Sequence, residues 1–173
     1  MESIQLPGRC YWLLKNRLLA GSYPYNPGSD EPEDFLRRLL AAGISAFIDL
    51  TEEDELTHYQ PLLAKLTDKP LFYRRFEIQD YSVTDLATMR SIVDCINEQL
   101  ANERCVYLHC RGGVGRTGTV AACWLCSGGM DGEQALIELA KLFSASNAAK
   151  FTRSPETDEQ RQMVISYSAA LRE

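Results

Sequence analysis

Residues 106–119 read VYLHCRGGVGRTGT. An apolar run, Val106 to Leu108, stops at His109. Cys110 follows at the mouth of a glycine-rich turn, and Arg116 stands six residues after the cysteine. Glycines 112, 113 and 115 let successive backbone N–H groups turn inward as an anion-binding nest. A helix opening here adds its free N-terminal N–H groups and the positive end of its dipole. The same surroundings favour a thiolate over a thiol, which makes Cys110 a candidate nucleophile. Arg116 stays charged and can grip two oxygens of a phosphate in a planar fork. The spacing wraps the loop once around a bound group, so thiolate, amides and guanidinium meet at one phosphorus. That chemistry is phosphoryl transfer, and it calls for no metal or cofactor. The phosphate-binding candidates are Arg111, Gly112, Gly113, Val114, Gly115 and Arg116.

Other readings of these glycines fail on their own terms. Gly113 to Gly118 formally fits GxGxxG after a strand. A dinucleotide fold, however, wants an acidic residue at the end of a second strand about 20 residues on. Here that region is the helix-like GEQALIELAKLF. A Walker loop needs Gly-Lys-Ser/Thr, and the turn has no lysine. A plain tight turn explains the glycines. It leaves the pairing of Cys110 with Arg116, and Arg111 in a crowded turn, without a reason.

The elements that must position this loop follow from periodicity. CVYLH is a strand and GRTGTVAACWLCS a helix, so the loop joins strand to helix. Upstream, CYWLLKNRLLAG reads as two short strands around a turn at Lys15-Asn16-Arg17. EPEDFLRRLLAAG is a helix from Pro32 to Gly43, with Phe35, Leu36, Leu39 and Leu40 on one face. SAFIDL is a buried strand. EDELTHYQPLLAKL is helical with a break near Pro61, and LFYRRFEI is a strand. TDLATMRSIVDCINEQLA is an amphipathic helix with Leu86, Met89, Val93, Ile96 and Leu100 at helical spacing. GEQALIELAKLF is another, with Leu136, Leu139, Ala140 and Phe143 on one face. SPETDEQRQMVISYSAAL closes the chain as a helix capped by Ser154. Strands alternating with helices predict an α/β fold: a central, mostly parallel sheet flanked by helices, in one domain over residues 1–173.

Composition agrees with a soluble globular chain: 45% of residues are apolar and 24% charged. No apolar run is long enough to span a membrane. MESIQLPGRC has no secretory-leader pattern. The net charge of −6 argues against a general nucleic-acid binder. Six cysteines without a leader read as free thiols in a reducing cytoplasm. Cys123 and Cys126 form a CxxC, but no second ligand pair is spaced for zinc. The pair lies inside a helical run, so it reads as buried structural thiols.

The segment His109-Cys110-Arg111-Gly112-Gly113-Val114-Gly115-Arg116-Thr117-Gly118 resembles the HCxxGxxR(S/T) signature of the cysteine-dependent protein tyrosine phosphatase superfamily. RLLAGSYP, FIDLTEEDE and SPETDEQRQMV are similar to segments of its dual-specificity branch, in particular small prokaryotic-type single-domain members. The resemblance covers most of the chain and implies a two-step reaction. Cys110 attacks phosphorus and forms a cysteinyl-phosphate. An aspartic acid protonates the leaving oxygen and then serves as base for water. Arg116 and the loop amides hold the phosphate. Thr117 helps the thiolate leave, and His109 orders the loop. A glutamine near the C-terminus positions the second water in some relatives: Gln160 is the candidate, with Gln162 and a plain solvated helix face as alternatives. His58 reads as a surface residue.

The acid is sought between LFYRRFEI and the next helix, among Glu77, Asp80 and Asp85. Glu77 lies within the expected strand, and Asp85 at the helix start is explained by the dipole. Asp80 sits in the connecting loop, 30 residues before Cys110, as the family's acid does. No proline follows it in the manner of the family; Val83-Thr84 stands there instead.

The implied substrates are phosphorylated proteins, phosphotyrosine first and then phosphoserine and phosphothreonine. An inositol phosphate or phosphoinositide phosphatase would use the same chemistry, though such enzymes often carry more basic residues in the loop. A non-catalytic phosphate-binding module would be expected to lose the cysteine, arginine or acid. Arsenate reductases and low-molecular-weight phosphatases place Cys-x5-Arg near the N-terminus, unlike position 110.

Overall fold

A computed structural model describes residues 5–173. The reading of the N-terminus as lacking a leader rests partly on residues 1–4, outside the described residues. The first two strands, β1 (Tyr11–Leu14) and β2 (Leu18–Gly21), are joined by the turn at Lys15-Asn16-Arg17, where Asn16 takes a left-handed φ of 62°. Then come α1 (Asp34–Ala41), β3 (Ile44–Asp49), α2 (Gln60–Leu66), β4 (Phe72–Arg75) and α3 (Leu86–Ala101). The chain continues with β5 (Cys105–His109), α4 (Gly115–Ser127), α5 (Gly132–Phe143), a 3-10 turn at Asn147–Lys150 and α6 (Asp158–Leu171).

The sheet order is β1-β2-β5-β3-β4; only β1 runs antiparallel to its neighbour. This is the mostly parallel α/β sheet that the alternation of elements predicts. Parallel strands need both faces covered. One face packs Met89, Ile96, Val120, Ala135, Leu139 and Val164, from α3 to α6. The other packs Leu36, Leu39 and Leu63, from α1 and α2. All six cysteines are free thiols, and Cys123 and Cys126 lie buried in α4.

Several elements differ from the sequence expectation. Helix α2 starts at Gln60, and Pro61 lies in its first turn. Proline lacks the N–H that a first turn leaves unused, so it begins this helix instead of breaking one. Residues 53–59 are consequently outside any helix. Strand β4 ends at Arg75, so Glu77 is not in a strand. Leu86 is exposed at the start of α3, and Ala140 faces solvent on α5. The cap of α6 is Thr157, which forms a capping box with Gln160. Ser154 is buried and donates from Oγ to the Val114 carbonyl, 2.6 Å away.

The registers set up the site. Gly21 pairs with His109, and Asp49 pairs with His109 from the other side. The carboxyl ends of β2, β5 and β3 thus lie abreast, and the loop after β5 leaves from the middle of the sheet. Open α/β sheets bind ligands at such strand ends.

Candidate active site

The loop from Cys110 to Val114 leaves β5 and enters α4 at Gly115. Gly113 takes φ 75°. A Cβ there would lie 2.6 Å from the Gly21 carbonyl carbon and 2.8 Å from Ser22 N, so only glycine fits. A Cβ on Gly115 would meet Gln160 Nε2 at 2.8 Å, and one on Gly118 would collide with Ser154 Oγ. The loop is therefore pressed between the end of β2 and the segment leading into α6. Among the described residues, the backbone N–H groups of residues 111–114 have no protein acceptor. With the free N–H groups that open α4, they form the donor set of the cradle.

Cys110 is buried at the base of a cleft of about 610 Å3, also lined by Arg9, Asp80, Tyr81, Arg111 and Glu156. Arg116 is 1% exposed. Its Nη1 donates to Glu55 Oε2 at 2.8 Å and to the Ile78 carbonyl at 2.7 Å. Its Nη2 donates to Glu55 Oε1 at 2.6 Å and lies 3.2 Å from Asp80 Oδ1. Nε is buried without a partner. Burial by itself would raise the Glu55 carboxyl, but the hydrogen bonds and charge of Arg116 hold it below the ordinary range. Glu55 was not expected from the sequence, because its segment reads as helix. Pro61, which delays the helix, was the available signal.

His109 is fully buried. Its Nδ1 lies 3.2 Å from the Cys110 carbonyl, which can only accept. Nδ1 therefore carries the proton, and bare Nε2 accepts from Tyr59 Oη at 2.6 Å. Burial lowers the His109 pKa, against the pull of Asp49, so the ring is neutral. Asp49, also fully buried, lies 4.0 Å from His109 Nδ1. Its oxygens accept from Thr51 N and Oγ1 at 2.9 and 2.6 Å, and from Tyr73 Oη at 2.6 Å. Burial would raise Asp49, yet the hydrogen bonds from Thr51 and Tyr73 work to keep it low. The base of the cradle is thus tied to β3, β4 and the residue before α2.

Among the acid candidates, Asp80 stands on the loop before α3, exposed at the cleft and beside Arg116. Asp85 caps α3 by accepting from Thr88 N at 2.7 Å. Glu77 Oε1 is taken by Glu53 N at 2.6 Å. Thr117 is buried, and its Oγ1 donates to the Gly21 carbonyl at 3.4 Å. Gln160 is fully buried against the loop, while Gln162 is exposed. Gln160 Oε1 accepts from Glu156 N and Thr157 N, both at 3.0 Å, and its Nε2 donates to the Ser82 carbonyl at 3.3 Å. His58 is exposed and bonds the Glu53 carbonyl.

Residues 7–164 match the family model described as Swiss Army Knife protein, DSP-PTPase phosphatase domain. The chain belongs to this DSP-PTPase family. The DSP-PTPase match takes in every element from β1 to β5 and the whole loop. An uncharacterized protein of Methanocaldococcus jannaschii is 37% identical over 90 residues, which cover 52% of this chain and 55% of that protein. The chain spans about half the length of the curated relatives it matches. The fold is similar to Tk-PTP in its active form, at TM-score 0.73 and 21% identity, over 93% of this chain and 97% of that one. It is also similar to PTPMT1 in complex with PI(5)P, at TM-score 0.73 and 20% identity, over 95% and 97%. No described helix of this DSP-PTPase domain is long and apolar enough to cross a membrane.

Proposed function

We propose that the protein hydrolyses phosphomonoesters on proteins through a cysteinyl-phosphate, with phosphotyrosine the first substrate and phosphoserine and phosphothreonine further ones. The observation that carries this reading is the orientation of Arg116. Glu55, the Ile78 carbonyl and Asp80 engage its two terminal nitrogens, and Nε remains unpartnered on the second residue after a loop of unbonded N–H groups. Such preorganised donors stabilise charge that develops on a transferring phosphoryl group.

In the first step Cys110 Sγ bonds to phosphorus as the ester P–O bond breaks. The leaving oxygen takes the proton of the Asp80 carboxyl. In the second step water attacks phosphorus, the P–S bond breaks, and the water proton passes to the Asp80 carboxylate. Thr117 assists the departing thiolate, Gln160 positions the water, and His109 holds the Cys110 backbone. Gln160 would have to release one of its present hydrogen bonds to do so. We place this activity in the cytoplasm, a reducing compartment that the free thiols support.

The test is turnover of phosphotyrosine and phosphoserine peptides against a panel of inositol phosphates, with chelator present. Wild type should release phosphate from the peptides, and Cys110→Ser should not. Near-wild-type turnover by that variant, or turnover confined to inositol phosphates, would overturn the reading.

A further inference from the structure

The chain carries a net charge of −6, yet two arginines line the cleft beside Cys110. Three surface arginines are each neutralised by a neighbouring carboxylate: Arg37 by Glu33, Arg38 by Asp34 and Arg153 by Asp158. Among the described residues, neither Arg9 nor Arg111 has a carboxylate within 4.0 Å. Arg9 Nη1 donates to the Gly112 carbonyl at 3.2 Å, which leaves its Nε and Nη2 for another acceptor.

Arg9 stands on a fixed stretch of backbone. Cys10 is buried and its N–H donates to the Pro7 carbonyl at 3.1 Å, while Asn147 N donates to the Gly8 carbonyl at 2.7 Å. Holding the backbone on both sides reduces the ordering cost of binding. The Gly112 carbonyl and the Gly113 N–H belong to one trans peptide and point in opposite directions. An arginine on that carbonyl therefore lies outside the ring of amides, on the rim. Arg116 and the amides serve the reacting phosphate, so Arg9 is placed for a different group.

We infer that Arg9 and Arg111 form a second anion subsite, for an acidic or phosphorylated side chain next to the phosphorylated residue of a peptide. The inference rests on the phosphatase reading above. A peptide is favoured over a small polyphosphate by the rest of the wall. Asp80 and Glu156 line the same cleft and repel a ligand charged on every side. Tyr81 at the cleft is 62% exposed, and Phe151, next to the cleft residue Thr152, is 85% exposed. Exposed aromatic rings of this kind suit the apolar parts of a peptide.

The test measures binding, so it does not depend on turnover. Two phosphotyrosine peptides, one with glutamate on both sides and one with glutamine, are titrated into the Cys110→Ser protein. The glutamate peptide should bind about tenfold tighter, the worth of one charge-assisted contact. Arg9→Gln in the same background should remove most of that ratio, Arg111→Gln should reduce it, and high salt should shrink it. Circular dichroism checks that these exposed substitutions leave the fold unchanged. Equal affinities for the two peptides, or a ratio untouched by both substitutions, would overturn the inference. So would Arg9 dependence for inositol bisphosphate over monophosphate with none for the peptides. Wild-type hydrolysis of p-nitrophenyl phosphate separates the two readings. Hydrolysis without peptide discrimination removes only the subsite; discrimination without hydrolysis removes only the phosphatase reading.

Discussion

Glu55 grips both terminal nitrogens of Arg116, at 2.6 and 2.8 Å, from a loop 61 residues earlier in the chain. That fork fixes the plane of the guanidinium and leaves Nε as the donor that has no protein partner. Glu55→Gln should keep part of the geometry but lose the charge. We expect kcat/KM to fall by about 10- to 100-fold, the range expected for weakening one preorganised donor. Inhibition by vanadate should weaken in parallel. Unchanged vanadate inhibition would mean that Arg116 is oriented without Glu55.

Asp80 and Asp85 separate cleanly by their surroundings. Asp80→Asn should lower kcat by roughly 10²–10⁴-fold on substrates with poor leaving groups, and less on aryl phosphates with acidic leaving groups. Asp85 is an N-cap, and asparagine caps as well as aspartate does. Asp85→Asn should therefore leave both kcat and thermal stability close to wild type. The reverse pattern in kcat would move the acid to Asp85.

Two glycines with left-handed backbones make an internal comparison. Gly43, at φ 92°, has open space where a Cβ would go, whereas Gly113, at φ 75°, has the backbone of Gly21 and Ser22. Gly43→Ala should cost about 1 kcal/mol, the left-handed strain alone. Gly113→Ala adds a clash with backbone that cannot swing aside. We expect a larger drop in Tm and loss of phosphate binding from Gly113→Ala only. Equal Tm shifts for the two variants would show that the loop and β2 are less tightly apposed.

Acid should destabilise the fold in a defined order. Burial depresses the His109 pKa below its ordinary 6.5. The unfolded chain thus takes up this proton first, so the stability is fully present above about pH 6.5 and is lost as pH falls through the folded value. Glu55 and Asp49, both held low, add losses of the same sign below their ordinary 4.5 and 3.8. Tm measured from about pH 7.5 to about pH 4 should decline throughout the acid range. The decline just below neutrality should flatten in His109→Asn. An identical slope in that variant would assign it to another group.

What could be read from the sequence was local. The strand CVYLH, the loop from Cys110 and the helix GRTGTVAACWLCS match β5, the cradle and α4, because alternation, glycine and helical propensity act over a few neighbouring residues. The α/β class followed from the order of such elements. The partners of the loop did not follow, because a buried charge is satisfied by whatever the sheet brings alongside. Asp49 reaches His109 through strand register, Tyr59 through the late start of α2, and Glu55 because that same late start leaves it in a loop over Arg116. Arg9 carries no local pattern at all and meets Gly112 across 103 residues. Residue types and spacing determined which groups can do the chemistry; only packing of distant segments decided which donors are occupied, which remain free, and what faces the incoming substrate.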